Sequence, residues 1–216
     1  MEVFEGFKTL FIGMFIFFVT NLVLGSFGPR SWLIDKYGFI KYRAGHSVLS
    51  LLGLYFIIIG FSSRPLFPIY YPSYEDYKLT GVLMTIALMF LAASFSSKEF
   101  TAITKHPVLW AVFIFSISHL KANGDLGAVF LFGGFVIYVP VAMYISERCR
   151  VLGNEKGFEK TFESTSIIPF LAIMRGKVSW PKGVFWLLKP IVIGLILVWF
   201  IVDNHKYITG VELVFN

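Results

Sequence analysis

The sequence predicts an all-α fold, a polytopic membrane helix bundle with about six transmembrane helices. Hydrophobic residues make up 56% of the 216 residues and charged residues only 15%, and the mean hydropathy is +0.74. A soluble domain usually has about 25% charged residues, because its surface must face water. The apolar residues form long continuous runs rather than the alternating pattern of a membrane β-barrel. Helices are then the remaining way to satisfy the backbone in lipid.

Each predicted helix rests on an apolar run whose length suits roughly 30 Å of hydrocarbon. The runs span residues 8–25, 44–61, 79–95, 107–120, 125–145 and 184–202. No second, soluble domain is indicated, so we expect one transmembrane domain over residues 1–216. The lipid bilayer is therefore its first expected partner.

The distribution of Lys and Arg predicts the orientation in the membrane. Most basic residues lie in the loops that follow the first, third and fifth runs. Because basic loops stay in the cytoplasm, both termini are expected on the non-cytoplasmic side. The formal net charge of +6 is explained by these loops, and binding to nucleic acid is not expected.

Several kinds of chemistry find no support in the chain. The single cysteine, Cys149, excludes an intrachain disulfide and a multi-cysteine metal site. No nucleophile–base set, phosphate-binding loop or carboxylate pair is recognisable, so hydrolysis is not indicated.

Four histidines lie at or near the ends of predicted helices: His46, His106, His119 and His205. His106 and His119 are separated by about 20 Å of helix rise and cannot bind one metal together. One histidine in each leaflet is typical of helical b-type cytochromes, with the second haem ligand on another helix. By topology, His46 could partner His106, and His205 could partner His119. The alternative is structural, because histidines at helix ends often hydrogen-bond a carbonyl or face lipid headgroups.

The segment 123–125 could have a purely structural role, or it could also orient His119. Asn123-Gly124 favours a tight turn, and Asp125 can cap the following helix. Asn123 or Asp125 could also accept a hydrogen bond from His119 and so orient its ring.

Four stretches closely resemble the NnrU family: residues 103–110 (ITKHPVLW), 118–126 (SHLKANGDL), 131–135 (LFGGF) and 165–173 (TSIIPFLAI). The combination of His106-Pro107, the step to His119 and the Asn-Gly-Asp turn is specific. The family includes bacterial proteins associated with nitrite and nitric oxide metabolism and the plastid 15-cis-zeta-carotene isomerase, a haem b protein.

The resemblance implies a set of cofactor-binding residues. His119 stands at the position of a haem b ligand, and His106 at that of the family's His-Pro histidine. Asn21 replaces a histidine that the family usually has late in the first helix. His46 could then supply the second iron ligand, with Asn21 beside it, and His205 is the further candidate.

Two classes of function remain open. One is a membrane haem b protein linked to nitrogen-oxide respiration (denitrification) or acting as a redox-type isomerase on a carotenoid-like substrate, with a respiratory or redox membrane partner. The other is a non-catalytic accessory or transport component with structural histidines. The expected location is a bacterial inner membrane or a plastid membrane.

Overall fold

The computed structural model describes residues 2–153 and 164–209. The chain divides into two compact units, each built from two separate stretches of sequence. The first unit comprises Met1–Pro72 and Asn123–Glu155, and the second comprises Ser73–Ala122 and Lys156–Asn216. The described residues are helical and contain no strand, only an isolated bridge between Pro68 and Asp125. The all-α fold class is confirmed, while a single domain over residues 1–216 stays a prediction.

The first unit is built around two long helices that contact each other closely. Its helices are α1 (Glu2–Glu5), α2 (Lys8–Val19), α3 (Phe27–Tyr37), α4 (Phe39–Ser62), α7 (Leu126–Ala128) and α8 (Gly134–Gly153), with π-helical turns at Thr20–Leu24 and Val129–Gly133. Glycines allow α2 and α4 to approach, because a Cβ at Gly13 or Gly60 would collide with backbone atoms of the other helix. The buried Cys149 of α8 lies with its Sγ 3.6 Å from the carbonyl oxygen of Gly25.

The second unit packs α5 against two other helices. It contains α5 (Tyr74–Ser96), a 3₁₀ turn at Lys98–Ala102, α6 (Pro107–Ala122), α9 (Leu171–Met174) and α10 (Phe185–Thr209). The first turn of α5 is fixed by a capping box, in which Ser73 and Asp76 bond each other's backbone N–H groups. Asp76 also forms an ion pair of 2.6 Å with Lys121 near the end of α6.

Within residues 2–153 and 164–209, four helical stretches are long and apolar enough to cross a membrane: Phe39–Ser62, Tyr74–Ser96, Leu126–Cys149 and Phe185–Tyr207. The expected number of about six is therefore only approximate. The first predicted run is helical over Lys8–Leu24 but is followed by α3 at an angle of 82°, and this bent pair supplies at most a fifth span. The fourth run forms α6, whose 16 residues fall short of the roughly 20 needed to span the bilayer.

The outer faces of the long helices are apolar, as lipid exposure requires. In α10, for instance, Trp199 is 68% exposed and Phe200 is 52% exposed. Large apolar side chains exposed in such numbers need a non-aqueous solvent. The protein is thus an integral membrane protein.

Candidate functional site

His119 is held in a defined orientation by its own helix. On α6, its Nδ1 lies 3.0 Å from the carbonyl oxygen of Phe115, and its ring packs on the Phe115 ring with centroids 4.1 Å apart. A carbonyl oxygen only accepts, so Nδ1 carries the hydrogen in this contact and Nε2 is the basic nitrogen. This arrangement is the usual one for a metal-binding imidazole, whose second nitrogen donates to a carbonyl or carboxylate. The side chain is half-buried.

His205 belongs to the same unit as His119. It lies on α10, and its charge acts on His119. The topological pairing of His119 with His205 stays a prediction.

His106 is buried at the start of α6, with only 6% of its surface exposed. Its carbonyl accepts the N–H of Trp110 at 3.0 Å, and its own N–H is directed at Thr104 Oγ1 at 3.4 Å. Pro107 follows as the first residue of α6, a position where the missing N–H is not needed. His106 thus belongs to the buried connection that precedes this helix.

Two stretches far apart in sequence meet at this connection. The hydroxyl of Thr104 and the indole N–H of Trp110 both donate to the carbonyl of Ile167, at 2.7 and 2.8 Å. Backbone bonds from Lys105 to Ser166 and from Phe170 to Ile103 extend the contact. Sequence analysis marked both stretches by family resemblance but did not predict that they pair, because no local pattern links residues about sixty positions apart.

Asn21 and His46 lie in the first unit and hold its π-helical turn to α4. The Asn21 amide donates to the Phe17 carbonyl at 2.7 Å and lies 3.3 Å from Ser50 Oγ on α4. The ring of His46 interacts electrostatically with the backbone of Thr20. A π-helical turn disturbs the regular hydrogen-bond ladder, so polar side chains of α4 complete it. The ligand role expected for His46 and the supporting role expected for Asn21 stay predictions.

Asp125 caps α7, as expected, through hydrogen bonds from the N–H groups of Gly127 and Ala128 at 3.0 and 3.2 Å. It also accepts two hydrogen bonds from the Arg64 guanidinium, at 2.8 and 2.9 Å. Burial raises the pKa of the Asp125 carboxyl, but hydrogen bonding to Arg64 and the charge of Arg64 outweigh it, and the pKa lies below its ordinary value. Sequence analysis missed Arg64 because nothing local connects it with Asp125.

The Asn-Gly-Asp turn is also fixed through its backbone. The carbonyl of Gly124 accepts N–H groups from Ile69 and Tyr70 at 2.7 and 3.1 Å, and the N–H of Leu126 donates to Phe67 at 2.9 Å. The tight turn is therefore tied to the loop after α4. The described acceptor for His119 is the Phe115 carbonyl, and an orienting role of Asn123 or Asp125 towards His119 stays a prediction.

Among the described residues, no three or more His, Cys, Asp or Glu side chains are grouped to hold a metal ion. Haem makes a smaller demand, because the porphyrin supplies four nitrogen ligands and the protein needs to add only one or two. His119 and His205, both in the second unit, are histidines that could supply such ligands, and haem binding stays a prediction.

Comparison with known proteins gives the family. The family model described as NnrU protein matches residues 9–213. The chain belongs to the NnrU family. All the candidate residues, from Asn21 to His205, lie inside the matched NnrU region.

The NnrU chain is also similar to a fungal enzyme. It is 23% identical to the terpene cyclase atmB of Aspergillus flavus over 151 residues, which cover 62% of this chain and 62% of the fungal protein. No solved structure matches the chain significantly.

Proposed function

We propose that this NnrU-family protein binds haem b within its helices and that His119 is an axial ligand. The observation that supports this most directly is the hydrogen bond from His119 Nδ1 to the Phe115 carbonyl. It directs the ligating role to Nε2 and fixes the ring plane before any cofactor binds. The Phe115 ring restricts the imidazole further by packing against it.

In this proposal His205 would supply the second histidine ligand. It shares a unit with His119 and acts on it electrostatically. Two neutral imidazoles are an ordinary ligand pair for b-type haem, which supplies one-electron chemistry when bound. His119 and His205 would hold and orient the group.

Family membership supports a role in nitrogen-oxide respiration or in redox-type isomerisation, in a bacterial inner membrane or a plastid membrane. A nitrogen-oxide role would require an electron donor, and a respiratory or redox partner in the same membrane could supply the electrons. The nitrogen-oxide role is tested by adding nitric oxide to the dithionite-reduced protein. If the protein has this role, the absorption spectrum should change. An unchanged spectrum would argue against it.

The haem proposal is tested by absorption spectra of the detergent-purified protein, oxidised and then reduced with dithionite. We expect a Soret band with sharp reduced α and β bands. His119→Ala should abolish them, and His205→Ala should give a high-spin spectrum that added imidazole reverses. His46→Ala is the matched control and should leave the spectrum unchanged.

Two results would overturn this assignment. A colourless protein from haem-replete cells would exclude the cofactor. Loss of the low-spin spectrum in His46→Ala, with His205→Ala unaffected, would move the second ligand to His46.

A second candidate is a non-catalytic membrane accessory or transport component. It is favoured by His46, whose ring is engaged with the Thr20 backbone as a purely structural histidine would be. This candidate predicts a colourless protein in which His119→Ala changes stability alone.

A further inference from the structure

A cavity lies in the first unit, beside the bend between the π-helical turn Thr20–Leu24 and α3. Its volume is about 350 Å³, near the lower end of the range for small-molecule sites. Leu24, Leu33 and Leu49 contribute apolar walls, and most of the surface that lines the cavity is apolar. An occupant must therefore bring a hydrocarbon part.

One charged group, Lys41, lines this cavity. It forms no hydrogen bond or ion pair with any other residue in the part of the chain that the structure describes. Two of the other polar side chains that line the cavity are engaged inside the protein, since the Tyr42 hydroxyl donates to the Leu24 carbonyl at 3.2 Å and the His46 ring interacts with the Thr20 backbone. The cavity thus combines an apolar wall with one uncompensated cation.

The surroundings of the cavity have the character of a membrane interface. On α3, Trp32 is 57% exposed and Tyr37 is 50% exposed, and the Lys36 ammonium lies 4.8 and 5.2 Å from their ring centroids. Amphipathic aromatic rings with nearby lysines are typical of the headgroup region. Between residues 27 and 49 the only carboxylate is Asp35, against Arg30, Lys36, Lys41 and Arg43. The local charge therefore favours an anion.

We propose that this cavity binds one anionic phospholipid, with an acyl chain against the leucines and the headgroup phosphate at Lys41. Basic pockets between helices at the cytoplasmic surface are the usual sites for such headgroups. The orientation predicted from the basic loops places this end of α4 in the cytoplasmic leaflet, where anionic lipids are concentrated. The lipid site uses residues of the first unit alone. The test of lipid binding is therefore independent of whether haem binds at His119 and His205.

The test is native mass spectrometry of the full-length, delipidated protein in a neutral detergent. It is titrated with phosphatidylglycerol or with phosphatidylcholine that carries the same acyl chains. We expect one phosphatidylglycerol per protein, bound at least fivefold more tightly than phosphatidylcholine. Lys41→Gln should weaken phosphatidylglycerol binding about fivefold and leave phosphatidylcholine unchanged. Lys98→Gln, an exposed lysine of the second unit, is the control and should change neither.

Filling the cavity gives an independent arm of the experiment. Gly45 lines the cavity, and a Cβ there would meet no other atom within 4 Å. The Gly45→Leu variant should therefore fold normally, and its affinity for each of the two lipids should be at least tenfold lower than that of the wild type. Gly81→Leu on α5, where the surroundings are equally open, should bind both lipids like the wild type. Equal affinity of the wild type for both lipids, or equal phosphatidylglycerol binding by the two leucine variants, would overturn the proposal.

Discussion

Asp125 combines several interactions in one side chain. Its carboxylate caps α7 and pairs with Arg64, and both side chains are largely buried, with 13% and 12% of their surfaces exposed. The Arg64 guanidinium also packs on the Phe61 ring at 3.5 Å and donates to the Phe61 carbonyl at 2.6 Å. A pair buried to this degree has few water molecules to replace a lost partner, so truncation of either residue leaves a poorly solvated group.

Asp125→Asn should lower the free energy of unfolding by about 2–4 kcal/mol, because the charge of Arg64 is left without its counter-ion. The measurement is denaturant unfolding in detergent. In the double variant Arg64→Met/Asp125→Asn the buried charge is absent, and the combined loss should be smaller than the sum of the single losses. Additive losses would contradict a direct pair.

Comparison of the wild type with Asp125→Asn also measures how the stabilisation from this ion pair depends on pH. Because the pKa of Asp125 is lowered in the folded state, its stabilisation is complete above the unfolded-state value of about 3.9. It is lost as the pH falls through the lower folded-state pKa. The stability difference between wild type and Asp125→Asn should therefore be constant from about pH 6 to 8 and shrink below about pH 4. A difference that grows on acidification would contradict the assignment.

At the scale of helices, the contact between α2 and α4 depends on the absence of side chains. At Gly60 a Cβ would meet backbone atoms of Thr9 and Leu10, which cannot move aside as a flexible side chain does. The helices therefore pack with their backbones in contact, an arrangement that small residues permit in membranes.

Gly60→Val should destabilise the protein by about 2–3 kcal/mol or more, because the two helices are forced apart. Gly81→Val is the matched control, since a Cβ at Gly81 meets nothing within 4 Å and the helix propensities change equally. Thermal unfolding of both variants in detergent measures the difference. Equal midpoints would show that the close contact is not needed.

At the scale of the whole molecule, the class of fold and most helices were predictable from composition and run length. Each long apolar run became a helix. The chain breaks at Gly25 and Ser26, but the bend of 82° was not predictable, because only tertiary contacts set the direction of α3. The predicted number of about six spans is approximate for this reason and because α6 is short.

Of the candidate site, the sequence supplied the histidines but not their surroundings. His119 was marked by its motif, and its pairing with His205 was deduced from topology. The Phe115 carbonyl as hydrogen-bond acceptor was missed, because backbone acceptors carry no sequence signal. Arg64 and Ile167 were missed because their partners lie about sixty residues away.

Topology is testable on the intact chain. The basic loops predict that both chain ends lie on the non-cytoplasmic side, although Met1 and residues 210–216 lie outside the described residues. Reporter fusions to each end, active only outside the cytoplasm, should both be active. Activity at one end alone would require an odd number of crossings.

The contact between Cys149 and Gly25 has a practical consequence. Cys149 is the only thiol in the chain, and it is buried against the end of the π-helical turn. The native protein should therefore resist labelling by a maleimide dye, and every labelled molecule reports an opening of this contact. The chain thus contains its own unfolding probe, with no engineered tag, and the labelling rate would follow how often α8 separates from the start of the bend.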